Sequence, residues 1–125
     1  MPTKVRTVNL SKKDRQFLKL ASAVAENSEM RFRHAAVIVR GGNVLSVGYN
    51  KLKNHPDIIE EDKIKQYCSV HAEAEAIRKL KGNAKGATIY VARIGLSGKE
   101  RLSRPCDYCY EKIVDAGITK IVYTD

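Results

Sequence analysis

Two segments of this chain carry residue types that could do chemistry together: His71-Ala72-Glu73 and Pro105-Cys106-Asp107-Tyr108-Cys109. One imidazole and two thiolates make three ligands for zinc, one short of its usual four. A structural site fills the fourth position with protein. An open position admits water, and zinc makes that water a usable nucleophile near neutral pH. A carboxylate two residues from the histidine, Glu73, is then placed to move protons. The pattern points to hydrolysis. Only Cys68 and His55 are candidates to close the site as a fourth ligand. Cys68 reads better as a small buried apolar residue, and His55 as a loop residue. A redox pair at Cys106 and Cys109 would leave the histidine and glutamate unexplained.

Helix geometry bears on which residues meet. Cys106 and Cys109 are three apart, so a helical first turn puts both sulfurs on one side. The positive end of that helix lowers thiol pKa, and a bound cation lowers it further. Pro105 fits the first turn, and Gly117 closes the helix at its far end. A second helix spans about His71 to Leu80, so a metal would lie where two helix N-termini meet. On an ideal helix Glu75 shares the face of His71, whereas Glu73 is nearly opposite. If the metal lies beyond the helix end, Glu73 reaches the fourth position. Glu73 is therefore assigned the proton transfers, and Glu75 is read as a carboxylate on the surface or behind the site.

The remaining elements follow from periodicity. Ser11 opens a first helix with Asp14 in a capping-box arrangement, and Phe17, Leu20, Ala21 and Val24 recur at helical spacing. Ala35–Arg40 and Val44–Tyr49 read as strands joined by a Gly41-Gly42 hairpin turn. A loop is expected over Lys51–Gln66, a strand over Ala87–Ile94, a surface loop over Ile94–Ser103 and a last strand over Ile118–Tyr123. The order αββαβαβ, with two β-α-β segments, implies parallel pairing among the later strands. The expected fold class is α/β: a three-layer αβα sandwich with a mixed sheet of at least four strands, in a single domain over residues 1–125.

Composition narrows the partners. Hydrophobic residues are 43% and charged residues 30% of the 125 positions, a globular rather than disordered balance. No apolar run approaches membrane-spanning length, and the N-terminus, with Lys4 and Arg6, lacks an apolar signal segment. A cytoplasmic location is expected, and three cysteines suit a reducing compartment. The net charge of +9 favours anionic partners, with nucleotides and single-stranded nucleic acid both qualifying. The 23 basic residues are spread along the chain, so a solvated basic surface explains them equally well.

The combination H-x-E with P-C-x-x-C, each half opening a helix, is the signature of zinc nucleobase deaminases. On these residues the chain resembles the cytidine and deoxycytidylate deaminase family, in its histidine-ligand branch. The likeness runs from about Arg33 to Asp125 and is strongest at Cys68–Leu80 and Ser103–Thr124. Within that family the chain resembles the small phage and bacterial deoxycytidylate-deaminase-like proteins. The resemblance implies the cytidine deaminase type of sandwich. It implies one catalytic zinc held by His71, Cys106 and Cys109, with Glu73 passing a proton from water to ring N3 and finally to departing ammonia. It also implies that the backbone N–H of Ala72 contacts the base and that Asn50, in Val47-Gly48-Tyr49-Asn50, contacts the sugar.

The substrate expected is a free cytosine nucleotide or nucleoside, foremost deoxycytidine monophosphate, converted to deoxyuridine monophosphate. Arg33, Lys51, Lys53, Arg101 and Arg104 flank the motifs and are the candidate phosphate contacts. The rival substrate is cytosine or adenine in single-stranded DNA or RNA. A third reading is a catalytically silent zinc scaffold, against which the intact Glu73 argues. Two departures from the family pattern stand out. Members carry a fifth strand or a further helix after the strand matching Ile118–Tyr123, so that strand is expected at a bare edge that a subunit of a homo-oligomer covers. The glycine-proline-rich segment that follows the asparagine in deoxycytidylate deaminases is replaced by Lys51-Leu52-Lys53-Asn54.

Overall fold

A computed structural model of the chain describes residues 3–6, 10–28, 33–52, 69–95 and 99–124. Its elements are β1 (Lys4–Arg6), α1 (Lys12–Ala25), β2 (Arg33–Arg40), β3 (Asn43–Tyr49), β4 (Lys51–Leu52), β5 (Ser69–Val70), α2 (Ala72–Lys79), β6 (Thr88–Ile94), β7 (Glu100–Arg101), α3 (Asp107–Asp115) and β8 (Lys120–Tyr123). The main sheet runs β1-β8-β6-β2-β3, with β7 added beside β6, while β4 and β5 pair separately. Helix α1 covers one face, and α2 and α3 cover the other. The mixed three-layer α/β sandwich is the expected one.

The hairpin forms because Gly41 and Gly42 supply φ angles of 60° and 79°, which only glycine adopts without strain. Strands β2 and β3 then pair antiparallel from Arg40↔Asn43 to Ala35↔Tyr49. Along β2 and β6 the side chains alternate between two cores. Ala36, Ile38, Ile89 and Val91 pack with Ile113, Ile118 and Ile121 under α2 and α3. Val37, Val39, Tyr90 and Ala92 pack with Leu18 and Ala21 of α1. Helix α1 begins at the expected capping box, with Asp14 N–H donating to Ser11 Oγ at 3.0 Å and Ser11 N–H to Asp14 at 3.4 Å.

Four expectations are corrected. β6 and β8 are parallel neighbours, but β3 and β6 do not pair, because β2 lies between them, antiparallel to both. The edge beyond β8 is not left for a subunit neighbour: β1 pairs with it in parallel, Val5 opposite Ile121. The stretch Ile94–Ser103, read as loop, contains β7, whose Glu100 and Arg101 pair with Ile94 and Arg93. Lys51 and Leu52, read as the start of a loop, are strand residues of β4. Lys53, His55 and Cys68 lie outside the described residues.

The approach of α2 to the sheet is unusually close at one point. A Cβ on Gly48 would stand 2.5 Å from the Ala72 carbonyl oxygen and 2.8 Å from the Ala76 nitrogen. Only glycine at this position of β3 lets the first turn of α2 settle there. Ser46 Oγ, two residues back on the same strand face, donates to Ala76 O at 2.8 Å. These contacts fix where His71 and Glu73 project.

Candidate metal centre

The two motifs meet at the N-termini of α2 and α3. His71 caps α2 with an extended backbone, φ −72° and ψ 140°. Cys106 caps α3 in the same way, φ −67° and ψ 165°, its sulfur accepting from Cys109 N–H at 3.4 Å. Neither residue lies inside its helix, and Pro105 precedes α3 rather than occupying its first turn. Both sulfurs nevertheless come to the same imidazole edge: His71 Nδ1 is 3.2 Å from Cys109 Sγ and 3.8 Å from Cys106 Sγ. Tetrahedral zinc with ordinary bond lengths separates N and S ligands by about 3.5 Å, a value that lies between these two distances.

The ligand atoms of His71, Cys106 and Cys109 all lie within 4.8 Å of one another, and no fourth histidine, cysteine or carboxylate joins them among the described residues. Cys109 is fully buried and Cys106 exposed, so the site opens on the Cys106 side.

The electrostatics of the donor set fit a cation. Burial pushes the Cys109 thiol far up, and negative charge on Glu73 and Cys106 pushes it further. Burial alone pushes the His71 imidazole down, toward the neutral form that binds metals. Burial likewise raises the Glu73 carboxyl, only partly offset by its own backbone N–H and by the Cys109 thiol. Burying the Cys109 thiol against the Glu73 carboxyl is costly, and a divalent ion among the donors reverses that cost by favouring the thiolates.

Glu73 and Glu75 separate as follows. Because His71 caps α2 from an extended backbone, the shared helical face predicted for His71 and Glu75 does not exist. Glu73 points to the metal set, within hydrogen-bond reach of Cys109. Glu75 points away, yet it is not on the surface: it is 4% exposed and receives Arg78 at 3.1 Å and Lys51 at 3.3 Å.

The other candidates are distributed around this centre. Ala72 is fully buried at the first position of α2. Asn50, buried after β3, accepts from His34 N–H at 2.8 Å through Oδ1, and its own N–H donates to His34 O at 3.1 Å. Of the candidate phosphate contacts, Arg33 donates to Gly95 O at 2.8 Å, Lys51 is held by Glu75, and Arg104 is exposed. Arg101 is described only as backbone in β7, and Lys53 falls outside the described residues.

Sequence reasoning passed over His34 and Arg93, which face each other across β2 and β6. The signal was present as the alternation of His34 with Ala36 and Ile38, but the apolar run beginning at Ala35 hid it.

The comparisons agree with this geometry. The family model for the cytidine and deoxycytidylate deaminase zinc-binding region matches residues 11–125. A protein of Aliivibrio fischeri described as an uncharacterized deaminase in the luxG 3′ region is 28% identical over 117 residues, which is 90% of this chain and 72% of that protein. The dCMP deaminase of cyanophage S-TIM5, solved in complex with dCMP and dUMP, superposes with a TM-score of 0.64 at 22% identity, over 92% of this chain and 83% of that one. The cytidine deaminase of Mycobacterium tuberculosis superposes with a TM-score of 0.57 at 17% identity, over 86% of this chain and 80% of that one. At such identities the superpositions speak for the fold, whereas the family match covers nearly the whole chain. This chain is a member of the cytidine and deoxycytidylate deaminase zinc-binding family.

Proposed function

We propose that the protein is a zinc-dependent hydrolytic deaminase of cytosine nucleotides, acting foremost on deoxycytidine monophosphate to give deoxyuridine monophosphate and ammonia. One observation carries the reading: the buried carboxyl of Glu73 stands beside a three-donor metal set, with a raised pKa. A structural zinc needs no such carboxyl. His71, Cys106 and Cys109 would hold the ion, which when bound would supply a Lewis acid that lowers the pKa of water.

Glu73 takes a proton from the attacking water and delivers it to ring N3. A C–O bond forms at C4, Glu73 takes the second proton from the new C4 hydroxyl and gives it to the amino group, and the C4–N bond breaks to leave the C4 carbonyl and ammonia. A desolvated carboxyl suits both directions, because its raised pKa lets it give the proton back. The Ala72 N–H, at the start of α2, contacts the base. The Oδ1 of Asn50 is engaged by His34 N–H, which fixes the orientation of the amide presented to the sugar. Among the candidate phosphate contacts, Arg104 is exposed and two residues from Cys106, on the open side of the site.

A second reading, deamination within single-stranded nucleic acid, is favoured by Tyr108. The residue is 56% exposed, and its ring meets the His71 ring edge-on with centroids 6.5 Å apart and has Lys112 Nζ 4.9 Å from its centroid. An aromatic ring and a cation at the mouth suit a neighbouring base and its phosphate.

Ammonia release from deoxycytidine, its monophosphate and a cytosine-containing oligonucleotide, at two salt concentrations, tests the choice. The monophosphate reading expects kcat/KM to fall about 10–100-fold without the phosphate, the worth of one charge-assisted contact. Activity that grows with oligonucleotide length and falls steeply with salt, with none on the monophosphate, would replace it by the second reading.

A further inference from the structure

The seam between β2 and β6 changes character toward the end where α2 begins. Helix α2 packs on β2 and β3, its Ala72 carbonyl close over Gly48, which pairs with Ala36 of β2, and Ile113 of α3 joins the same core cluster as Ile89 and Ile121. Their N-termini converge at the His71–Cys109 contact of 3.2 Å. The metal set therefore lies above the line where β2 meets β6. Along that line the register reads Ile38↔Ile89, Ala36↔Val91 and His34↔Arg93. The first two pairs belong to the core under α2 and α3, so strand alternation places His34 and Arg93 next on the same face. The floor turns from apolar to basic at that step.

Both residues are pinned. The His34 backbone is bonded twice to Asn50, and Arg93 N–H donates to Thr124 Oγ1 at 3.3 Å. Burial, then the charges of Arg93 and His71, push the His34 imidazole down to about 4. His34 is thus neutral near pH 7, and Arg93 supplies the positive charge of the floor.

The geometry points to Arg93, assisted by His34, as the specificity residue that reads the C2 carbonyl of a cytosine base. The inference rests on the deaminase reading and names the base that the site takes. The reacting C4 must stand at the open metal position, so the ring itself lies over the floor, and the phosphate is several bonds away. A guanidinium only donates hydrogen bonds. Cytosine offers it a carbonyl oxygen next to N3, where adenine has a C–H at the corresponding position. Attack at C4 also moves electron density toward N3 and that oxygen, so a donor there serves the transition state more than the ground state.

The test compares kcat/KM for deoxycytidine monophosphate, its 2-thio analogue (a weaker acceptor) and deoxyadenosine monophosphate, in zinc-loaded wild type, Arg93→Gln and Arg93→Lys. Wild type should favour the 2-oxo over the 2-thio substrate and leave adenine untouched. R93Q should lose about 10–100-fold on the 2-oxo substrate, the worth of a charged hydrogen bond, and far less on the 2-thio one, at unchanged zinc content. R93K should recover part of the loss, and as the charge-keeping variant it carries the comparison if R93Q does not fold. Equal losses on oxo and thio substrates, or full activity of R93Q, would overturn the inference and leave the deaminase reading standing. Activity on adenine but not cytosine would do the same. A zinc-loaded wild type that releases no ammonia from any of the three would remove the deaminase reading, and this inference with it.

Discussion

The first turn of α2 carries two buried carboxyls, two residues apart, whose surroundings drive them in opposite directions. On the side facing the metal set, Glu73 is 6% exposed, and burial raises its carboxyl. On the side facing β3 and β4, burial would also raise Glu75, but hydrogen bonds from Arg78 and Lys51 outweigh it and hold the carboxyl below its ordinary range. Lys79 adds a longer contact at 3.9 Å. Both are nearly closed to solvent, yet Glu75 sits shallower among cations while Glu73 lies deep beside a thiol. The first is a fixed anion that ties α2 to β4. The second bears the uncompensated cost of burial, which favours its protonated form. Asp14, on the opposite face of the sheet, follows the Glu75 pattern: burial is outweighed by Lys120 at 2.9 Å and by the Tyr90 hydroxyl at 2.7 Å.

Several changes would break or sharpen this contrast. The largest effect is expected at Glu73. Glu73→Gln should keep the zinc and the fold yet lose at least ~10²-fold in kcat, the contribution of a positioned proton carrier. Metal analysis and turnover on the same sample check it, and a variant that keeps wild-type turnover would end the contrast.

Next comes the platform under both carboxyls. Gly48→Ala forces a Cβ against the Ala72 carbonyl, and should cost about 1–3 kcal/mol in denaturant unfolding, the usual penalty of overpacking. Because it shifts α2 bodily, it should lower zinc affinity as well.

Glu75→Gln should cost about 1 kcal/mol, since its partners Lys51 and Arg78 are largely in solvent and recover hydration. The sign with pH is definite. A carboxyl whose folded pKa is depressed contributes stability that is present above its unfolded pKa and lost as pH falls through the folded one. The gap in stability between wild type and E75Q should therefore be full at pH 7 and close below about pH 4. A gap that widens with acid would show that Glu75 is not held as an anion.

The smallest change is expected at Lys51. Lys51→Ala leaves Arg78 on Glu75, and should alter stability by less than about 0.5 kcal/mol. A large loss of activity would instead return Lys51 to the substrate site.

Much of this arrangement was legible in the residues. The hairpin followed from Gly41-Gly42, the first helix from Ser11 and Asp14, and the meeting of His71 with Cys106 and Cys109 from two motifs that each open a helix. What stayed hidden depends on neighbours distant in sequence. Lys4–Arg6 is too short and too charged to announce a strand, and forms one because β8 offers it a free edge. Glu75 also meets Lys51, a partner distant in sequence whose strand β4 pairs with β5. The contrast between Glu73 and Glu75 turns on the extended backbone of His71, and an ideal helix drawn from the sequence reverses it. His34 and Arg93 become partners only through the β2–β6 register.

The central claim is that a carboxyl beside an open three-donor zinc site performs hydrolytic deamination. Its most direct test is ammonia release from deoxycytidine monophosphate while zinc is returned to chelated protein, in wild type and E73Q side by side. Wild-type activity should rise in proportion to bound metal and level off at about one zinc per chain, while E73Q binds the same zinc and stays near baseline. Stoichiometric zinc with no ammonia from any cytosine substrate, or equal rates in the two proteins, would contradict the account.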